Sequence, residues 1–109
     1  MGRYKLERRM PLSLDRTIVG LCGDYDRRER VLARAAAAPE VLAQYERINR
    51  GIDRAVADVC EDGIREQMRS DIGAGRGARR TPLHFISEGT YKSRKRETKW
   101  RIAEVLNLL

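Results

Sequence analysis

The sequence has few aromatic residues, little proline and no long apolar run. Aromatic residues make up 6% of its 109 residues, and nine glycines and three prolines exclude a collagen-like or low-complexity chain. No apolar run approaches the roughly 18 residues that a membrane span needs. The charged stretch from Met1 to Met10 also lacks the apolar core of a signal peptide. We therefore expect one soluble domain, covering residues 1–109, in the cytoplasm, with no contact to a membrane.

Cysteine and histidine are scarce as well. Cys22 and Cys60 are the only cysteines, which is too few for a disulfide scaffold, and their spacing is not that of metal ligands. Both fall on apolar helix faces, so we interpret them as small buried side chains. His84 is the single histidine, which indicates neither a metal site nor a Ser-His-Asp arrangement. The sequence nominates no catalytic residue, metal or cofactor, and we expect a protein that is not an enzyme.

Positive charge is present in excess, and it is unevenly distributed. The formal net charge is +7, from 23 basic and 16 acidic residues. Residues 1–75 hold 14 basic and 13 acidic residues, whereas residues 76–109 hold 9 basic and 3 acidic residues. Almost the whole excess therefore lies in the last third of the chain. A basic segment attached to a balanced one indicates a face made for an anion.

The hydrophobic pattern predicts an all-α fold. There is no alternating β-branched run and no Asn-Gly or Asp-Gly hairpin signal. Apolar residues spaced by threes and fours predict a first helix from Ser13 to about Ala37 and a second from Pro39 to about Glu61. Pro39 suits the first position of a helix, where its missing N–H is not needed. Two long helices with a short join predict a long antiparallel hairpin over 13–62.

The second half of the chain predicts shorter elements. Residues 63–80 are expected to form a short helix, with Ile64, Met68 and Ile72 on one side, followed by a Gly/Arg-rich connector. Residues 81–109 are expected to form a helix-turn-helix-like basic segment. Ser87 is a favourable N-cap for its last helix, which is predicted from Glu88 to about Leu106.

The outer face of this last helix carries the functional hypothesis. Lys92, Arg96 and Lys99 stand at i, i+4 and i+7, so they project together. In a helix-turn-helix, the second helix enters the major groove and its first residues contact bases, while other cations hold phosphates. Few acidic partners are expected on this face. The candidate DNA-binding residues are Arg76, Arg79, Arg80, Ser87, Glu88, Thr90, Lys92, Ser93, Arg94, Arg96, Lys99 and Arg101.

Two further patterns indicate packing rather than a site. Tyr45, Asn49 and Asp53 share one helical face, and we interpret them as a hydrogen-bonded packing face. Trp100 lies near the end of the basic face and is expected to pack against a neighbouring helix.

The segment from Ser87 to Arg96, followed by Ile102-Ala103 and Leu106 to Leu108, resembles the end of the RinA and ArpU type phage transcriptional regulators. The C-terminal part of those proteins is similar to region 4 of bacterial sigma factors. The resemblance implies that a serine-led turn opens a recognition helix. The matching positions are Ser87, Glu88, Thr90, Tyr91, Lys92, Arg94, Lys95 and Arg96.

The leading hypothesis is a DNA-binding transcriptional regulator encoded by a phage or prophage, with its hairpin as a dimerisation or polymerase-contacting surface. The expected partners are double-stranded DNA, a second copy of the chain in a homodimer, and RNA polymerase. One alternative is a helical assembly module, such as a phage small packaging subunit. Another is an adaptor that docks an acidic protein. An RNA partner is disfavoured, because the basic face lacks interleaved aromatic residues that stack unpaired bases.

Overall fold

The computed structural model describes residues 9–75 and 86–109, and all regular structure in these two ranges is helical. The predicted all-α class is therefore confirmed. The helices are α1 Leu12–Gly23, α2 Tyr25–Arg34, α3 Pro39–Val59, α4 Arg65–Ala74 and α5 Glu88–Val105, with a 3₁₀ turn at Asp62–Ile64. Across the described residues, no helix has both the length and the apolar character required to cross a membrane.

Local capping signals place the starts of α3 and α5. Pro39 occupies the first turn of α3, where its fixed φ angle favours the helix. Ser87 is the N-cap of α5, and its hydroxyl oxygen accepts a hydrogen bond from the Thr90 backbone N–H at 3.1 Å. Both helices begin at the predicted residues and end within about two residues of the predicted ends.

The prediction of one helix from Ser13 to Ala37 is wrong. The chain forms two helices, α1 and α2, that meet at Asp24. The buried guanidinium of Arg28 donates a hydrogen bond to the Leu21 carbonyl, which lies at the end of α1. Gly23 meets Gly73 of α4 so closely that a Cβ atom on Gly73 would lie 2.8 Å from the Gly23 nitrogen. These long-range contacts hold the bend, and the first arm of the expected hairpin is therefore shorter than predicted.

Two helices end on a residue in the left-handed region. Ala35 follows α2 with φ of 48°, and the Ala36 N–H donates to the Val31 carbonyl at 3.1 Å. Asn107 follows α5 with φ of 58°, and the Leu108 N–H donates to the Ala103 carbonyl at 2.8 Å. Both are Schellman-type ends, which satisfy carbonyls that the helix leaves open.

The core forms where α1 packs on α4 and α3 packs on α5. Ile18, Ile52 and Ile102 are completely buried at these contacts. The predicted apolar side of the third helix is confirmed, because Ile64, Met68 and Ile72 are also completely buried, although Ile64 belongs to the 3₁₀ turn. Fully buried aliphatic side chains of this kind each contribute about 1.5–3 kcal/mol to folding.

Both cysteines are buried and reduced, as predicted. Burial raises the pKa of the Cys22 thiol to about 12, and it also raises the pKa of Cys60. Because the thiolate is the reactive form, both side chains are chemically quiet at neutral pH.

The predicted packing face on α3 is confirmed by its contacts with α2. The Tyr25 hydroxyl donates to Asp53 at 2.7 Å, and Arg28 Nε donates to Asn49 Oδ1 at 2.7 Å. Arg28 follows Tyr25 along α2, whereas its partner Asn49 precedes Asp53 along α3, so the two helices are antiparallel neighbours. Asn49 Nδ2 also donates to the Tyr25 carbonyl at 3.1 Å. A polar network therefore joins the two helices beside the apolar core.

Candidate nucleic-acid interface

The N-terminal half of α5 presents an exposed surface, whereas its C-terminal half is inserted in the core. Glu88, Gly89, Lys92 and Arg96 are exposed along the first turns. Farther along, Trp100 is 8% exposed and Ile102 is fully buried, as are Thr98 and Ala103. Trp100 is therefore buried, and its packing against a neighbouring helix stays a prediction. Tyr91 of the first turn is also completely buried, so α5 is held in the core along its length and offers only the outer face of its first turns to a partner.

Lys92 and Arg96 form what we call the basic ridge. They stand one helical turn apart on the same face of α5, and both side chains are exposed. Neither makes an ion pair or hydrogen bond with any residue in 9–75 or 86–109. A pair of adjacent cations without an internal partner retains its full charge for an external anion.

Arg94 and Arg101 have a different role from the predicted one. Arg94 binds Glu61 just beyond α3, with Nη2 and Oε2 3.0 Å apart, and this guanidinium lowers the pKa of Glu61. Arg101 binds Asp58 of α3, with Nη2 and Oδ2 2.8 Å apart. At 3.6 residues per turn, both arginines lie about half a turn around α5 from Lys92. They fasten α5 to α3, and the expectation of few acidic partners is wrong on that side of the helix.

Lys99 is on the same side as the ridge, but it also has an internal partner. Its Nζ lies 2.8 Å from Oδ1 of Asp15, in the first turn of α1. The two side chains are 23% and 19% exposed, so this ion pair is partly shielded from water. The contact fastens α5 to α1, and Lys99 offers only part of its charge to an external ligand.

The remaining predicted residues of α5 mostly shape the start of the helix. The Ser87 hydroxyl also donates to Thr90 Oγ1 at 2.9 Å, so both side chains are used in the cap. Ser93 is half-buried and Glu88 is exposed. Tyr91, which is part of the family resemblance, is completely buried and donates its hydroxyl to Asp71 Oδ2 at 2.6 Å. Of the predicted residues from Ser87 to Arg101, Ser87, Glu88, Lys92 and Arg96 are exposed.

A groove lies beside the ridge, and sequence reasoning did not anticipate it. We call it the basic groove. Its volume is about 500 Å³, and it is lined by Arg9, Met10, Leu12, Asp15, Lys92, Lys95, Arg96, Lys99 and Trp100. Five of these side chains are cations and one is a carboxylate. The alternating Met10, Leu12 and Leu14 are the one local signal that the segment before α1 packs against the domain.

Several predicted positions lie outside the described residues. They are Arg76, Arg79, Arg80, His84 and residues 81–85 of the expected helix-turn-helix-like segment. The first half of the expected helix-turn-helix therefore stays a prediction. Among residues 9–75 and 86–109, no three His, Cys, Asp or Glu side chains are grouped so that they could hold a metal ion.

Comparison of the chain with protein-family models, with curated proteins and with solved structures gave no match.

Proposed function

We propose that this protein binds double-stranded DNA through the N-terminal half of α5. The observation that carries the proposal is the basic ridge, in which Lys92 and Arg96 are exposed, adjacent and without a partner among the described residues. Arg9, Lys95 and Lys99 extend the positive surface into the basic groove. An exposed face near the start of a helix, with the opposite face packed on the domain, has the form that a recognition helix presents to a major groove.

The ridge and the anchoring ion pairs have separate roles in this proposal. Lys92 and Arg96 contact DNA, either at phosphates or at guanine edges. Arg94 and Arg101 do not contact DNA, because they hold α5 against α3 through Glu61 and Asp58. Binding that uses phosphate contacts releases counterions, so its affinity falls as salt rises.

We infer a regulatory role from the same features. The resemblance of residues 87–96 to RinA and ArpU type regulators supports transcriptional control by a phage- or prophage-encoded protein. RNA polymerase and a second copy of the chain are the protein partners that such a role requires. The lack of any candidate catalytic group in the sequence agrees with a binding protein rather than an enzyme.

The proposal is tested by removing the ridge and measuring DNA affinity. The double variant Lys92→Ala/Arg96→Ala is compared with Arg30→Ala/Arg34→Ala, which removes the same charge from exposed positions on α2. Fluorescence anisotropy follows binding to a duplex of about two helical turns at several concentrations between about 50 and 200 mM salt. Loss of two phosphate contacts makes the negative slope of log affinity against log salt shallower by about 1.8. The α2 variant should keep the wild-type slope.

Equal slopes in the two double variants would contradict the proposal, because overall charge alone would then explain binding. Absence of duplex binding by the wild-type protein, together with salt-dependent binding to an acidic polypeptide, would favour the adaptor. A ridge that reads bases predicts one more result, namely that the Lys92→Ala/Arg96→Ala variant loses any preference between duplex sequences.

A second candidate function, a helical assembly module, is favoured by the end of the α2–α3 pair. Val31, Leu32, Val41 and Leu42 are half-exposed there and lie outside the core cluster. Grouped aliphatic residues on a surface are typical of contacts between proteins. The double variant Leu32→Glu/Leu42→Glu should dissociate an assembly formed through this surface. Sedimentation velocity distinguishes the functions, because a large closed ring indicates packaging and a monomer or dimer indicates the regulator.

A further inference from the structure

The basic groove combines two kinds of surface that a simple anion site does not need together. Part of its lining is cationic, with Lys95 and Lys99 from α5 and Arg9 from the segment before α1. Another part is apolar, with Met10, Leu12 and Trp100. Leu12 is 52% exposed and is one of two large hydrophobic side chains exposed in the described part of the chain. The groove is therefore suited to a ligand that is both anionic and partly apolar.

A phosphodiester backbone has this composition, because negatively charged phosphates alternate with largely apolar sugars. Phosphate and sugar contacts fix the register of a protein on DNA. The groove also borders the ridge, since the two ridge residues, Lys92 and Arg96, are part of the groove lining. A backbone in the groove would consequently run next to the bases that the ridge faces. Each edge of a major groove is such a backbone.

We propose that the basic groove holds one of the two phosphodiester backbones that border the major groove entered by α5. This inference rests on the proposed function and extends it to a second chain segment. Arg9 supplies a phosphate contact from outside α5. Met10 and Leu12 pack against the sugars. Residues 9–15 thus act as a clamp that fixes the angle at which α5 lies on the duplex.

Asp15 opposes this ligand. Its carboxylate is the one acidic group among the described residues that line the groove, and it holds Lys99 Nζ at 2.8 Å. A phosphate that approaches Lys99 meets the repulsion of Asp15 and competes with it for the same amine. The Asp15→Asn variant removes the repulsion and releases the full charge of Lys99. It should therefore bind duplex DNA more tightly than the wild-type protein, which unfolding or misfolding of a variant does not produce.

Trp100 reports directly on this site. It is the only tryptophan in the sequence, so the intrinsic tryptophan fluorescence of the protein comes from one wall of the groove. Titration with a duplex of about two helical turns should change this fluorescence at the same concentrations that change the anisotropy of a labelled duplex. A small anion such as inorganic phosphate at the same ionic strength should leave it unchanged.

The deciding comparison is Arg9→Ala against Arg16→Ala. Both residues are exposed cations near the start of α1, but only Arg9 lines the groove. Loss of one phosphate contact should lower the salt slope by about 0.9, equivalent to a three- to fourfold change in relative affinity between about 50 and 200 mM salt. Arg16→Ala should retain the wild-type slope. Sequence preference should be unchanged in Arg9→Ala, because a backbone contact carries no base information.

Three results would overturn the inference, and the first of them separates its failure from failure of the proposed function. If Arg9→Ala and Arg16→Ala behave alike and Asp15→Asn gains no affinity, while Lys92→Ala/Arg96→Ala still weakens binding, the ridge binds DNA and the groove does not. If an unpaired oligonucleotide binds more tightly than the duplex and quenches Trp100, the ligand is a single strand. If the wild-type protein binds no duplex, both proposals fail.

Discussion

The buried guanidinium of Arg28 is expected to be among the most important polar side chains for folding. Arg28 is 2% exposed, and its Nε donates to Asn49 Oδ1 at 2.7 Å. A second nitrogen donates to the Leu21 carbonyl, and Nη1 lies 3.5 Å from Asp24 Oδ2. One side chain thereby joins the end of α1 to the middle of α3 across the bend. Burial lowers the pKa of this arginine, whereas the Asp24 carboxylate acts in the opposite direction.

The cost of Arg28→Ala follows from the acceptors that it leaves behind. Asn49 is completely buried, so its Oδ1 would lose its donor where water cannot replace it. The part-buried Leu21 carbonyl would lose a donor too. An unsatisfied buried acceptor costs about 1–3 kcal/mol, and the part-buried Leu21 carbonyl adds a smaller amount to this cost. The free energy of unfolding of a domain of this size is about 5–15 kcal/mol, so the variant should lose a large part of its stability.

Urea unfolding followed by circular dichroism measures this loss directly. The control is Arg27→Ala, the neighbouring arginine, whose side chain is 48% exposed and binds Asp24 on the surface. Surface ion pairs contribute little, so this control should unfold near the wild-type midpoint. If Arg28→Ala loses no more stability than Arg27→Ala, the buried network does not hold the bend and the reasoning is refuted.

Three other predictions concern stability. Gly73→Ala should destabilise the protein by about 1–3 kcal/mol, because its Cβ would lie 2.8 Å from the Gly23 nitrogen. Gly20→Ala, with open space around the new Cβ, should stabilise the protein by about 1 kcal/mol. Thermal unfolding should therefore shift in opposite directions in the two variants, and shifts in the same direction would contradict this. Ala35→Gly should stabilise the protein by about 1 kcal/mol, because Ala35 has a φ of 48° that glycine adopts more readily. An unchanged urea midpoint in this variant would contradict the prediction. Stability should fall as pH rises from 9 to 12, because burial raises the pKa of Cys22 from 9.0 to about 12 and favours the neutral thiol in the folded state. Urea midpoints across this range should decline less in Cys22→Ala, and parallel declines in the two proteins would exclude this cause.

The sequence predicts the parts of this fold that depend on neighbouring residues. Pro39 and Ser87 mark the starts of α3 and α5 because proline and serine act on the first turn that follows them. The bend at Asp24 was not predictable, because it depends on Arg28 reaching the Leu21 carbonyl and on Gly23 meeting a residue of another helix. Local pattern rules do not include such tertiary contacts.

The candidate site shows the same division. Spacing along one helix placed Lys92 and Arg96 on one exposed face. A stricter count of 3.6 residues per turn would also have placed Arg94 and Arg101 on the opposite side. By contrast, no local pattern links Lys99 to Asp15, because the two residues are 84 positions apart. The groove was missed because its two walls come from distant parts of the sequence.

This separation has a consequence for how the protein becomes active. The groove needs residues near Arg9 and residues near Lys99 at the same place, and only the folded core brings them together. Contacts between distant positions form late in folding, because the intervening chain must first be ordered. During synthesis, the first wall leaves the ribosome long before the second exists. A partly made chain therefore lacks the cations of α5, an unfolded chain holds them away from Arg9, and the groove exists only in the folded molecule.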